Sequence, residues 1–248
     1  ADQTLIPKKN QKYYSEKIAY LPSYQVNDSK QTFPERVFNR EDLGLPKKGF
    51  VFCCFNNTYK ITPSTFDSWA RILKQVDGGV LILLVDSDLA RKNLKKEIAK
   101  REIDPERLIF GESLSRPDYL ARYRTANLFL DTQPCNAGMT ASDALRMGLP
   151  MITCMGESYQ SRIGASILNS INLPELITSS LEEYESLAIE LATHSEKLKI
   201  IKDKLKVNLS IAPLYNTPLF TRHLESAFTI MYEKYHQGLK PDHIYVKY

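Results

Sequence analysis

The sequence is short of the features that mark membrane, secreted and metal-dependent proteins. It has no uninterrupted apolar run of about eighteen residues, the minimum for a spanning helix, and no signal peptide. Its four cysteines are Cys53, Cys54, Cys135 and Cys154, and no two stand in a CxxC pair. That argues against a disulfide framework or a structural zinc site and points to a reducing, cytoplasmic setting. No Lys/Arg cluster is interleaved with aromatics, and the net charge is only +4, so nucleic acid is not the expected partner. There is no internal repeat and no low-complexity segment. The four histidines, His194, His223, His236 and His243, all lie late in the chain. No Ser/His/Asp or Cys/His set accompanies the loops described below, which speaks against a hydrolase triad. No general base stands out either, so any chemistry is expected to be completed by groups outside this chain. The first residue is Ala, which suggests a fragment or processed piece of something longer.

What is present is a regular alternation from about residue 47 onward. Phe50–Phe55 and Val80–Val85 are continuous apolar runs, as in strands buried on both faces. Shorter strands are expected at Arg107–Phe110, Leu128–Leu130 and Pro150–Thr153. Helical patterns separate them: one after a Thr62 cap with Pro63 behind it, one over Leu89–Arg101, one capped by Ser115, one from about Thr140 to Gly148, and one over Tyr159–Leu168. Alternating strands and helices predict an α/β fold with a doubly wound parallel sheet over residues 47–175. Residues 1–46, punctuated by prolines, read as a linker or arm lying on a partner domain, with one short strand at Ile18–Leu21 and a helical turn at Arg40–Gly44. Residues 176–248 read as a helical extension, with helices at Leu181–Ala192, His194–Asn208 and about Thr217–Gln237.

Ligands of such sheets sit outside the carboxyl ends of the strands. Four loops collect there: Asn56–Lys60, Gly111–Ser115, Asp131–Thr140 and Cys154–Ser161. The Asp131 loop enters a helix through Gly138, and a helix N-terminus is a natural phosphate site. Lys60 reads either as a point charge for a phosphate or as a solvated lysine, the commoner state. Asn56 and Asn57 suit a ligand or simply a turn. Thr140 and Asp143 have capping-box spacing, and Asp143 also suits a ribose diol. Arg116, Tyr119 and Arg122 share one helix face and read as a base or phosphate site, or, more commonly, as a surface face. Glu157 and Arg162 flank a further loop, where Arg162 is open to pairing with Glu157 or with a ligand. Asp86-Ser-Asp88 resembles a metal triplet, but Ser87-Asp88 precedes a helix and reads better as a cap.

Four stretches together carry a more specific resemblance: Phe55-Asn-Asn-Thr-Tyr-Lys-Ile-Thr-Pro63, the run from Asp131 to Asp143, Gly156-Glu-Ser-Tyr-Gln-Ser-Arg162, and Lys240-Pro-Asp-His243. In this order they resemble the C-terminal catalytic lobe of the protein O-linked N-acetylglucosamine transferases, glycosyltransferase family 41, which has bacterial members. The resemblance implies a Rossmann-like lobe of a two-lobed GT-B enzyme that binds a UDP-sugar and transfers the sugar, with inversion and without a metal or cofactor, to Ser/Thr hydroxyls of a protein or peptide. It implies that Lys60 neutralises the leaving diphosphate. Asn57 stands where animal members usually carry Gln, and Met139 with Thr140 replaces a Thr-Thr pair at the helix start. Asp143 matches the ribose ligand, Arg116 stands for a lysine near the base, Tyr119 for a His beside the uracil, and Arg122 for an arginine near the nucleotide. An N-terminal catalytic lobe bearing a His, and a tetratricopeptide array, are the partners implied. The chain alone is then expected to bind nucleotide weakly and transfer little. A non-catalytic nucleotide-sugar module, or the same fold with UDP-glucose or GDP-fucose, are the alternative expectations.

Overall fold

The computed structural model describes residues 1–23 and 33–247. The expected α/β core is present. Six parallel strands run β2 (Val51–Cys54), β3 (Val80–Leu84), β4 (Leu108–Gly111), β5 (Leu128–Leu130), β6 (Met151–Cys154) and β7 (Ile177–Thr178). Their order across the sheet is β4-β3-β2-β5-β6-β7. The chain winds outward in one direction from β2 and, after β5, in the other. The topological switch point therefore lies between β2 and β5, which pair through Phe52 with Leu128 and Cys53 with Phe129. Every residue of β2, β5 and β6 is buried, which is why their sequences are apolar on both alternating faces.

Helices α1 (Pro63–Gln75), α2 (Asp88–Ala99), α3 (Arg116–Arg122), α4 (Met139–Arg146) and α5 (Ile163–Ser170) connect the strands. The predicted caps at Thr62 and Ser115 are formed: Thr62 accepts from the Thr65 N–H and Ser115 from the Asp118 N–H. Ser87 caps α2 by accepting from the Ala90 N–H at 3.3 Å. Helix α4 ends at Arg146 with Met147 as its C-cap, and the chain turns away through Gly148, whose φ of 79° suits a residue without Cβ. Helices α6 (Leu181–Thr193), α7 (Ser195–Ile211) and α8 (Thr217–His236) follow. No described helix is long and apolar enough to cross a membrane.

Two expectations about organisation change. The sheet does not close at residue 175, because β7 adds its sixth strand and pairs Thr153 with Ile177. Helix α6 then covers α1, where the Trp69 indole donates to the Tyr184 hydroxyl at 3.3 Å. A two-residue strand is too short to show a period, so its pairing is visible only in three dimensions. The described start of the chain packs on this lobe itself. Leu5, Ile6, Ile18 and Tyr20 are buried in this lobe's own core. Asp2 accepts from the Leu5 N–H at 2.8 Å and from the Ser166 hydroxyl. Strand β1 (Ala19–Tyr20) pairs in parallel with β8 (Ile244–Tyr245). The part of the 1–46 segment between residues 24 and 32 lies outside the described residues.

Candidate functional site

The loops leaving β2 and β5 meet at the switch point. Asn56, 3% exposed, donates through Nδ2 to the Thr132 hydroxyl at 2.8 Å and accepts through Oδ1 from the Thr140 hydroxyl. Lys60 closes a short turn, Thr58–Lys60, and its Nζ donates to the main-chain oxygen of Asn136 at 2.8 Å. Lys60 is half-buried and held beside the loop that enters α4, not freely solvated. Its ammonium has three donors, and one is used on Asn136.

The expected capping box is not formed. The N-cap of α4 is Gly138, with no side-chain cap, and Thr140 lies within the first turn, bonded instead to Asn56. The hydroxyl that would have capped the helix is drawn to a partner on another loop. The α4 N-terminus thus presents its positive end with no side chain of its own folded over it. Met139 stands at that end, half exposed. Asp143, one turn further in, is buried, and Arg116 donates to both of its oxygens at 2.7 Å.

The α3 face is more buried than a surface reading expects. Arg116 is exposed and Tyr119 half-buried, while Arg122 is only 1% exposed. The Arg122 guanidinium lies 5.2 Å from the Phe55 ring centre and 5.4 Å from that of Tyr119, and donates to the Glu112 carbonyl at 2.9 Å. Its Nε and Nη2 find no hydrogen-bond partner among the described residues. Gly111 leaves room for it, since a Cβ there would sit 2.7 Å from Nη1. The Tyr119 and Tyr123 hydroxyls are 2.6 Å apart, and Tyr123 donates to the Thr140 carbonyl at 3.2 Å. Tyr119 must therefore donate to Tyr123, and its oxygen is left as an acceptor. Burial pushes the Tyr119 phenol up to about 12, so it stays neutral. Phe55, Asn57, Tyr59, Ser113, Tyr119 and Arg122 line a cleft of about 330 Å³ above these strand ends. Asn57 is exposed at its rim.

Other candidates separate from the site. Arg162 pairs with neither Glu157 nor the cleft. It donates to the carbonyls of Thr4 and Gly156, at 2.6 and 2.8 Å, and so ties down the start of the chain. Glu157 reaches Lys9 at 3.5 Å in solvent. The Asp88 side chain is 98% exposed beside the Ser87 cap. His243 accepts from the Ile18 N–H through Nδ1 at 3.0 Å, which gives the Lys240–His243 motif a structural task at the β1–β8 pairing.

The residues that residue-by-residue reading passed over are Asp131, Thr132, Tyr123 and Asn136. Asp131 is fully enclosed, and burial lifts its carboxyl from 3.8 to about 6, against the stabilising pull of donors from Thr153, Ala137 and Thr132 and of the Lys60 charge. Its place at the end of an apolar strand was the available signal. Asn136 acts through its backbone oxygen, which no side-chain pattern reveals.

Comparison with known proteins fits this geometry. Residues 35–224 match the family model for glycosyl transferase family 41. A "Probable UDP-N-acetylglucosamine--peptide N-acetylglucosaminyltransferase SEC" of Arabidopsis thaliana is 32% identical over 99% of this chain, and a UDP-N-acetylglucosamine--peptide N-acetylglucosaminyltransferase of Caenorhabditis elegans is 32% identical over 83% of it. The chain spans only 26% and 18% of those relatives' lengths. The structure superposes on an O-GlcNAc transferase mutant of Thermobaculum terrenum with a TM-score of 0.82 and 26% identity, over 96% of this chain and 45% of that one. The C-terminal domain of a Francisella tularensis glycosyl transferase group 1 family protein shares the fold, with a TM-score of 0.56 over 75% of this chain and 97% of that one. With a Rossmann-like sheet, a lysine and a helix N-terminus at its switch point, and a family match over most of its length, the chain belongs to glycosyl transferase family 41.

Proposed function

We propose that this chain is the donor-binding lobe of an inverting, metal-independent transferase that moves N-acetylglucosamine from UDP-GlcNAc to Ser/Thr hydroxyls of proteins, in the cytoplasm. The observation that carries the reading is the meeting of Lys60 with the loop into α4 at the switch point. The diphosphate lies between the two free donors of Lys60 and the backbone of Met139 and Thr140, with Asn57 at the rim. The base lies against Tyr119 and Arg122. Asp143 takes the ribose hydroxyls, and Arg116, its partner in the free protein, turns with it toward the nucleotide.

Sugar transfer places negative charge on the departing diphosphate. A preorganised ammonium and helix N-terminus stabilise that charge most in the transition state, which is what accelerates the step. The acceptor's proton and the second wall of the site fall to an upstream lobe, and acceptor choice to a tetratricopeptide array. Calorimetry with UDP and UDP-GlcNAc tests the reading. The chain alone is expected to bind weakly, and Lys60→Ala to bind more weakly still. In the enzyme completed with its upstream lobe, the same change is expected to cut turnover on the order of 10²–10³-fold, as loss of one preorganised donor does. Absence of UDP binding at millimolar concentration, even with that lobe restored, refutes it. The half-exposed Met139 and the phenol of Tyr119 favour one second reading, a nucleotide-sugar-binding module without turnover or with UDP-glucose or GDP-fucose as ligand. A nucleotide competition panel with a peptide transfer assay separates the two.

A further inference from the structure

The peptide between Asn136 and Ala137 is held at both ends. Its N–H donates to Asp131 Oδ1 at 2.7 Å, and its carbonyl accepts from Lys60 Nζ at 2.8 Å. In a trans peptide these two groups point in opposite directions, so fixing one aims the other. A buried carboxylate, an aligned peptide dipole and an ammonium therefore stand in one line. Asp131 also accepts from the Thr132 N–H at 2.8 Å through Oδ1, and from the Thr153 hydroxyl at 2.7 Å through Oδ2. Its main-chain oxygen is held by the Tyr184 hydroxyl at 3.0 Å. Donors from its own loop, from β6 and from α6 thus converge on a residue that lies beneath the diphosphate site and is too buried, at 2% exposed, to touch the nucleotide.

Resting on the function proposed above, we infer that Asp131 is the positioning residue of the diphosphate clamp: its carboxylate orients the Asn136–Ala137 peptide, and through that carbonyl sets where Lys60 stands relative to the N-terminus of α4. A neutral Asp131 still accepts from the Ala137 N–H, but a hydrogen bond to an uncharged oxygen is weaker than one to a carboxylate, so the peptide oxygen is aimed at Lys60 less firmly. The titratable groups facing Asp131 are Lys60 from the turn after β2, Cys54 from β2 and Tyr184 from α6. Burial holds the Cys54 thiol and the Tyr184 phenol well above neutral, so neither changes charge in the range where Asp131 does.

The test uses the whole chain and UDP-GlcNAc, whose diphosphate is esterified at both ends and has no titration of its own in the window. With the carboxyl near 6, about one molecule in eleven is ionised at pH 5, so the dissociation constant is expected to rise about tenfold between pH 7.5 and pH 5. Asp131→Asn should abolish that step and bind at every pH about as weakly as the wild type does at pH 5. Thr153→Val, which removes a donor to the charged form, should move the midpoint upward. The Ala137 and Thr132 amide resonances, followed without nucleotide, should inflect at the same midpoint in the wild type and stay flat in Asp131→Asn. Flat amides in the wild type overturn the inference. So does pH-independent UDP-GlcNAc binding, or undiminished binding by Asp131→Asn. If the wild type binds no UDP-GlcNAc at any pH, it is the functional reading that fails, and the amide titration still decides whether Asp131 holds the loop.

Discussion

Replacing Asp131 by Asn should stabilise the protein at neutral pH while weakening its clamp. The carboxyl titrates near 3.8 in the unfolded chain and at about 6 when buried. The folded state therefore holds the proton more tightly, and this group's contribution to stability is fullest below pH 3.8 and is lost as pH rises through 6. The gap of about two pH units corresponds to about 3 kcal/mol of destabilisation at pH 7.5. Asparagine escapes that cost. Its Oδ1 still accepts from Ala137 and Thr132, but its Nδ2 obliges the Thr153 hydroxyl to change from donor to acceptor, which returns about 1 kcal/mol. The variant should be more stable by about 2 kcal/mol at pH 7.5, equivalent to roughly 4–8 °C in Tm for a chain of this size. At pH 4.5 the wild-type cost has fallen to about 1 kcal/mol, so the advantage should nearly vanish. Urea unfolding of both proteins at the two pH values reads the difference free of titrations they share. A variant less stable than the wild type by the same margin at both values refutes the buried-charge reasoning.

Two further outcomes follow from the same geometry. Arg116→Ala leaves the buried Asp143 carboxylate without its bidentate partner. Because Arg116 is itself about half exposed, the expected loss is about 1–2 kcal/mol in denaturant unfolding, with Arg116→Lys restoring part of it. Gly164→Ala places a Cβ within 2.6 Å of both the Thr153 hydroxyl and an Asp131 oxygen. It should cost about 1–3 kcal/mol in stability and weaken UDP binding together, whereas a stability loss with unchanged UDP affinity would separate Asp131 from the clamp.

The sequence by itself determined the layered α/β core, because apolar runs and capped helical patterns are local and each reports its own burial. Thr62, Ser87 and Ser115 cap the helices they precede, since a cap needs only the next few residues. It also brought Asn57, Lys60, Tyr119, Arg122, Thr140 and Asp143 to one edge, because parallel strands put every βα loop on the same side. Pairings between loops were decided only by the tertiary structure. Thr140 abandons the capping box for Asn56, and Arg162 holds Thr4 instead of a ligand. A hydrogen bond between residues far apart in the chain leaves no periodic trace in it. The same holds for Asp131: an acidic residue at a strand end looks like any loop entry until the fold buries it, aims one peptide between it and Lys60, and makes its charge matter.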